Sequence, residues 1–451
     1  MIIQGFHVYI NIVNYNEIIL DEENSTNRVT KSIHALDTFF SEIERFGNIH
    51  FPNSFVIEKI TGSRLHFYVT EDIQSGYSVV KHIVAFAYKL SKCINYEIGK
   101  YKNLKDFIIN VGCDYGYFYD FEFKTESGYI ETTTIGYSAN YAAKLQALSD
   151  NSCISVSKEI YDSLRPNDSN CYELKTHPSL HKYQQQYYYS SELSKIYSPI
   201  YSDIDKSIDI AKDYANSVNL SEIDFSSVRK MLNYSDLSKT NCKYLYGIPV
   251  FADVRGFTSQ FNKDDINLDE MYAKTKNVLS AMYEVSTKYG GIHVQFQGDR
   301  ELSLYHNVPG DYKDGVLLPD KKCFKNAVLG AMRMIDDVNN FQLNIGVGAD
   351  FGRLFATKIG VRGSKDNILI GETVIVADYM EDSCADKDQI AITESVYNGL
   401  LNEDSVLASM FKKTEDYYVT TVGYKEYIKE QSYSDLDNNT QNGTYNGAWK
   451  I

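Results

Sequence analysis

The stretch VFADVRGFTSQF, Val250 to Phe261, ends a short apolar run on a single carboxylate, Asp253, and follows it with a Gly-Phe-Thr turn. An apolar run of this length reads as a buried strand. The turn beyond it offers a row of backbone N–H groups ahead of a helix start, where an anion is favoured. The same frame recurs near the amino terminus in VYINIVNYN, Val8 to Asn16, with Asn11 where the acid would stand.

Working outward from Asp253, LDEMYAKTKNVLSAMYEVSTKYGG puts Met271, Thr275, Val278, Leu279, Met282 and Val285 on one helical stripe and stops at Gly290. IHVQFQGDRELSLYH alternates, turns at Gln297-Gly298-Asp299 and resumes, which predicts a hairpin with an acid at its tip. A second stripe from Phe324 to Val338 leads into the strand LNIGVGADFG. The order is strand, helix, hairpin, helix, strand.

The first half repeats it: FHVYINIV, a helix through Ile33, Leu36, Phe40 and Ile43, the hairpin FVIEKITGSRLHFYV, a helix from Val80 to Leu90, and the strand FIINVGCDYG. Gly62 and Gly298 lie 236 positions apart, as do Asp114 and Asp350, while Gly136 and Gly371 lie 235 apart. Such constant spacing is the mark of a duplicated unit. Between the copies the chain is polar and rich in Ser, Tyr and Asp, and SEIDFSSVRKMLN predicts a helix capped by Ser221 and Asp224. The tail SYSDLDNNTQNGTYNGAWKI, with the sole tryptophan Trp449, has the composition of disorder.

Whole-chain quantities narrow the function. A length of 451 residues calls for two or three domains. Sixty acidic against 45 basic residues, a formal charge of −15, repel phosphate backbones and weigh against nucleic-acid binding, a two-metal nuclease or polymerase included. The opening MIIQGFHVYINIV lacks a basic stretch and a cleavage site and reads as a strand, and no apolar run reaches the ~18 residues of a membrane span. Seven scattered cysteines without a C-x-x-C fit reduced thiols in a cytoplasmic protein. His293 and His306 read as structural residues, and His177 and His181 as loop residues.

Asp253 and Asp299 close adjacent strands of one unit, the arrangement that holds paired divalent cations for displacement at a phosphate. Two acids suffice for magnesium when a nucleotide completes the shell.

FADVRGFTSQF and QFQGDRELSLY resemble the two metal motifs of class III nucleotidyl cyclases, the family of adenylate and guanylate cyclases. The resemblance implies an α+β chain of two ferredoxin-like βαββαβ cyclase domains that form an intramolecular pseudo-heterodimer. Residues 1–190 would be a cyclase-like domain without metal acids, 191–243 a connecting segment, 244–429 the metal-binding domain, and 430–451 a tail. It further implies that Asp253, Asp299 and the carbonyl of Val254 hold two Mg²⁺ or Mn²⁺, that Gly256, Phe257 and Thr258 cradle the triphosphate, and that Arg353 neutralises its terminal phosphates. In the second unit the family's transition-state pair is replaced by Ile375 and Tyr379, whereas the first unit supplies Asn140 for the ribose and Lys144 in place of an arginine. Asn140 and Lys144, four residues apart, share a helical face. The first unit has lost both acids, to Asn11 and Ser63, so the halves are complementary in their defects and imply one competent site per chain beside a degenerate one. The match around Lys182 is too poor to carry a role over.

By motif, Lys59 and Thr133 take the base-reading positions. Their hydrogen-bond chemistry leaves adenine, cytosine and uracil open and disfavours guanine, for which no acid is in view. HVQFQGDRE and the lack of receiver, GAF, HAMP or membrane segments resemble the bacterial anti-phage pyrimidine cyclases of the Pycsar type. That resemblance implies cCMP or cUMP as product, a separate cyclic-nucleotide-sensing effector, and a monomer with paired domains or a dimer of such chains. The alternatives are an adenylate cyclase and an inactive nucleotide-binding scaffold.

Overall fold

A computed structural model describes residues 2–124, 130–196, 202–220, 223–238, 240–257, 267–313, 316–317, 321–361 and 365–430. The first half runs β1 (Ile2–Ile12), α1 (Tyr15–Thr26), α2 (Thr30–His50), β2 (Phe55–Thr61), β3 (Arg64–Val69), α3 (Ile73–Glu97), β4 (Ile109–Lys124), β5 (Ile130–Ile135), α4 (Tyr137–Leu148) and β6 (Cys153–Val156). Its sheet has the order β2-β3-β1-β4-β6, extended by two short strands at Tyr188–Glu192 and Glu173–Lys175, with β5 on β4. Along β1, Phe6, Val8, Ile10 and Ile12 are buried in the core with Leu36, Phe39, Val80 and Phe86 from α2 and α3. Period-two alternation therefore turns His7, Tyr9 and Asn11 to the opposite face.

The second half repeats the plan with β7 (Asn241–Arg255), α5 (Leu268–Lys288), β8 (Ile292–Gln297), β9 (Arg300–His306), α6 (Cys323–Asn339), β10 (Asn344–Ala349), β11 (Gly352–Ile359), β12 (Asp366–Ile370), α7 (Glu372–Tyr379) and β13 (Gln389–Ile392). Its central order, β8-β9-β7-β10-β13, matches that of the first sheet. The stripe expected on α5 is buried from Met271 to Val285, and Gly290 ends the helix region with φ +82°. The chain is thus α+β, with two ferredoxin-like domains.

The halves exchange arms. Phe121 and Ile135 of the first half lie in the second core, and Phe355, Ile359, Ile368 and Ile370 of the second half lie in the first. Burying apolar side chains across the boundary fixes the halves face to face. Polar stitches follow: the Phe296 N–H donates to Glu131 Oε1 (2.6 Å), Lys59 Nζ donates to the Phe296 carbonyl (2.7 Å), and the Ile60 N–H donates to Asp366 (2.7 Å).

One local reading is corrected. Asp224–Ser227, expected in a capped helix, is a strand parallel to Asn241–Tyr244 of β7. Ladder hydrogen bonds to a neighbouring edge override a weak helical propensity. Ser221, Thr258 and the tail with Trp449 lie outside the described residues. Among those described, no helix is long and apolar enough to cross a membrane.

Candidate active site

Asp253 sits near the end of β7, in register with Arg300 of β9 on one side and Gly346 of β10 on the other. The chain then turns at Gly256, φ +69°, a left-handed backbone suited to glycine, and buries Phe257. Asp299 occupies the β8–β9 turn beside Gly298, φ +73°. Burial and the charge of Asp299 push the Asp253 carboxyl up to about 7; burial pushes Asp299 up to about 6, with Glu381 adding to it. Carboxyls crowded and buried in this way gain from any positive charge brought between them. The donor set therefore fits divalent metal ions.

A cleft of about 520 Å³ opens between the halves, and its lining comes from both. The second half contributes Asp253, Val254, Gly256, Phe257 and Asp299; from the first, α4 contributes Asn140 and Lys144. Lys182 joins them, and the Lys144 ammonium is lowered by burial and then by the Lys182 charge. Two lysines that repel each other in a cleft opposite paired acids suit an anion lying between them and the cations.

Three expected residues are engaged by other protein groups. Arg353 is not in this cleft: its guanidinium is held by the side chain and carbonyl of Asn27, just after α1, and lies over the Tyr244 and Phe355 rings. Asn27, at the C-cap of α1 in the opposite half, holds it there. Lys59 borders the cleft, but its ammonium donates to Glu131 Oε1 (2.5 Å) as well as to Phe296, and it is 3% exposed. Thr133 is buried outside the lining and donates to Glu58 Oε1 (3.0 Å).

The wall beside Lys59 is instead made by Glu58, His66 and Tyr9. The Tyr9 and His66 rings stack with centroids 3.9 Å apart, and His66 is hydrogen-bonded to both Glu58 and His7. Burial works against ionisation of Glu58, but His66 and then Lys59 bring it down to about 2. Glu58 and His7 sit on opposite nitrogens of His66, and the three residues each offer a ligand atom within 4.8 Å of the others, a cluster that could hold a metal ion.

Ser63 and Ile375, the counterparts of Asp299 and Asn140, line a separate cavity of about 110 Å³.

Neither a protein-family model nor a curated protein matches the sequence. Among solved structures, a class III adenylyl cyclase-like ATP-binding protein from Pseudomonas aeruginosa aligns over 95% of this chain and 90% of its own, at 17% identity and a TM-score of 0.69. The chain has the tandem class III cyclase fold. Other structures align with part of it: the adenylyl cyclase CyaB from P. aeruginosa covers 40% of this chain and 94% of its own (18% identity, TM-score 0.32). The guanylyl cyclase domain of the RhoGC fusion protein from Blastocladiella emersonii covers 39% and 96% (19%, 0.32).

Within the tandem cyclase fold, Arg64, Arg300, Glu381 and Asp382 also border the cleft and were not singled out from sequence. A signal existed for two of them: Arg64 and Arg300 share the 236-position spacing of the duplicated glycines, in GSR and GDR.

Proposed function

We propose that the chain is a nucleotidyl cyclase that converts a nucleoside triphosphate to its 3′,5′-cyclic monophosphate and pyrophosphate in the cleft between its halves. The observation that carries the proposal is that Asp253 and Asp299 of one half and Asn140 and Lys144 of the other border the same cleft. Asp253, Asp299 and the Val254 carbonyl would hold two Mg²⁺ or Mn²⁺, which supply Lewis acidity toward the ribose 3′-oxygen and the phosphates. Asn140 orients the ribose. Lys144 and Lys182 carry positive charge toward the phosphates, as does the turn at Gly256 and Phe257 through its N–H groups. Placing reactive groups on two rigid elements that meet only in the folded chain holds the hydroxyl in line with its phosphorus.

For the substrate we favour a pyrimidine, CTP or UTP. Lys59 and Thr133, the base-reading positions by motif, are both engaged by Glu131, Phe296 and Glu58 and so do not decide among adenine, cytosine and uracil. The resemblance of HVQFQGDRE to the anti-phage pyrimidine cyclases supports the pyrimidine choice, with a second-messenger role acting through a separate effector. The test is incubation with ATP, GTP, CTP and UTP together, with manganese or magnesium, followed by chromatography. A cyclic pyrimidine nucleotide as main product is expected; cAMP as main product would move the assignment to an adenylate cyclase.

A second reading is a nucleotide-binding protein without turnover. The retention of Arg353 by Asn27, away from the cleft, favours it. Release of no pyrophosphate from any of the four triphosphates, with binding intact, would establish it.

A further inference from the structure

Behind the strand ends that carry Asp253 and Asn11, the two halves use different chemistry to hold the same helix against the same strand. In the second half Glu381, in the π-helical turn Met380–Cys384 after α7, is only 2% exposed. Its Oε1 meets Arg255 Nη1 at 2.6 Å and its Oε2 meets Arg300 Nη2 at 2.8 Å. Arg255 also donates to the carbonyls of Glu381 and Ala385, and its Nη1 lies 3.4 Å from Asp253 Oδ2. Gly346 makes the room, since a Cβ there would run into the Arg255 guanidinium. Arg300 has a further partner in Asp378 Oδ1 at 2.5 Å.

In the first half Asn11 has the same register, between Arg64 and Asn110. Asn110 therefore stands where Gly346 does. Gln146 stands where Glu381 does, for its backbone crosses Gly112 as that of Glu381 crosses Gly348. Val13, two residues after Asn11, replaces Arg255. The charged set becomes a neutral one: Gln146 Nε2 donates to Asn110 Oδ1 (2.9 Å), and Asn110 Nδ2 donates to the Ser149 carbonyl (2.8 Å). The fold is thus held without charge in the half that has no metal acids, and with charge in the half that has them.

We infer that Glu381 is a positioning residue for cation binding: it shares the Arg255 guanidinium with Asp253 and takes the closer contact, 2.6 Å against 3.4 Å, so that Arg255 pairs only weakly with the aspartate that would take the metal. The inference rests on the cation site proposed above. Without Glu381, Arg300 retains Asp378, whereas the carboxylate left in contact with Arg255 is Asp253 itself. A guanidinium paired with a half-buried carboxylate competes directly with a cation for it.

The test needs no turnover. Bound Mn²⁺ is read by electron paramagnetic resonance with the full chain and a non-hydrolysable triphosphate, alongside thermal melts. Glu381→Gln is expected to weaken Mn²⁺ binding about tenfold or more and also to lower the melting temperature, since it leaves two largely buried guanidiniums short of a carboxylate. The triple variant Arg255→Val, Gly346→Asn, Glu381→Gln installs the neutral set of the first half and removes the competing arginine. It should recover Mn²⁺ affinity to within about threefold of the parent, a rescue that loss of packing would not give. Parent-like binding by Glu381→Gln, or a triple variant as weak as the single, overturns the inference. Should Glu381→Gln not fold, Glu381→Asp, too short to span both guanidiniums, takes its place with the same two outcomes. Asp253→Ala is the control. If it too binds Mn²⁺ like the parent, the cation site itself is wrong; if it alone loses Mn²⁺, only the role of Glu381 falls.

Discussion

The two clefts of this chain are built by the same strands and helices and differ in what those elements carry. At matching registers, Asp253 faces Arg300 and Gly346, and Asn11 faces Arg64 and Asn110. Yet one cleft encloses about 520 Å³ with acids on one wall and amide and ammonium groups on the other, while Ser63 and Ile375 border about 110 Å³. Duplication preserved backbone geometry, which the cores demand. Side chains that do not support the cores were free to diverge, and they diverged in complementary ways. A fold alone therefore does not say which cleft is chemical; the residues at its rim do.

The sharpest way to break this contrast is to remove the acids. Asp253→Ala or Asp299→Ala should lower cyclisation about 10³-fold or more, measured as pyrophosphate release, because the partner acid alone cannot hold a cation pair. On the opposite wall, Asn140→Ala should lower kcat about 100-fold with a much smaller change in triphosphate affinity, the pattern of a group that acts chiefly in the transition state. An equal loss in kcat and affinity would make Asn140 a binding residue only.

A third substitution probes the boundary between the halves. Glu131 takes Lys59, the Phe296 N–H and His293, all of them buried. Glu131→Ala should destabilise the chain by about 3–5 kcal/mol in denaturant unfolding, the cost of stranding buried charges. The same contact gives a pH dependence. Against the burial that lowers it, hydrogen bonds to Glu131 and Glu301 raise the His293 imidazole from 6.5 to about 9. Because the folded chain holds this proton more tightly than the unfolded one, the stabilisation is complete below pH 6.5 and is lost as pH rises through 9. The melting temperature should fall over that window in the parent and less so in His293→Gln. The smallest effect is expected in the degenerate cavity, where Ser63→Asp should leave the rate within about twofold, one acid being insufficient without its pair. A large gain would show that cavity to be a second site.

Much of this was legible in the sequence because it is local or periodic. The stripes on α2 and α5, the glycine-bearing turn before Asp299 and the repeat spacing all follow from elements a few residues long. Most of what escaped depended on the other half. The destination of Arg353 is decided by Asn27, more than three hundred residues away in the chain, and Lys59 is captured by Glu131 and a carbonyl across the boundary. Glu381 was hidden by packing within its own half. In VIVADYMED it reads as one surface acid among several, and only packing brings it onto Arg255 and Arg300.

The most direct test of a site completed within one chain is to mix two inactive variants. Purified Asp299→Ala and Asn140→Ala proteins, assayed separately and together with the preferred triphosphate and manganese, should form no more cyclic product in the mixture than apart, while the parent turns over. Recovery of activity on mixing would mean that the acids of one molecule meet the asparagine of another, and would contradict a cleft closed by the two halves of a single chain.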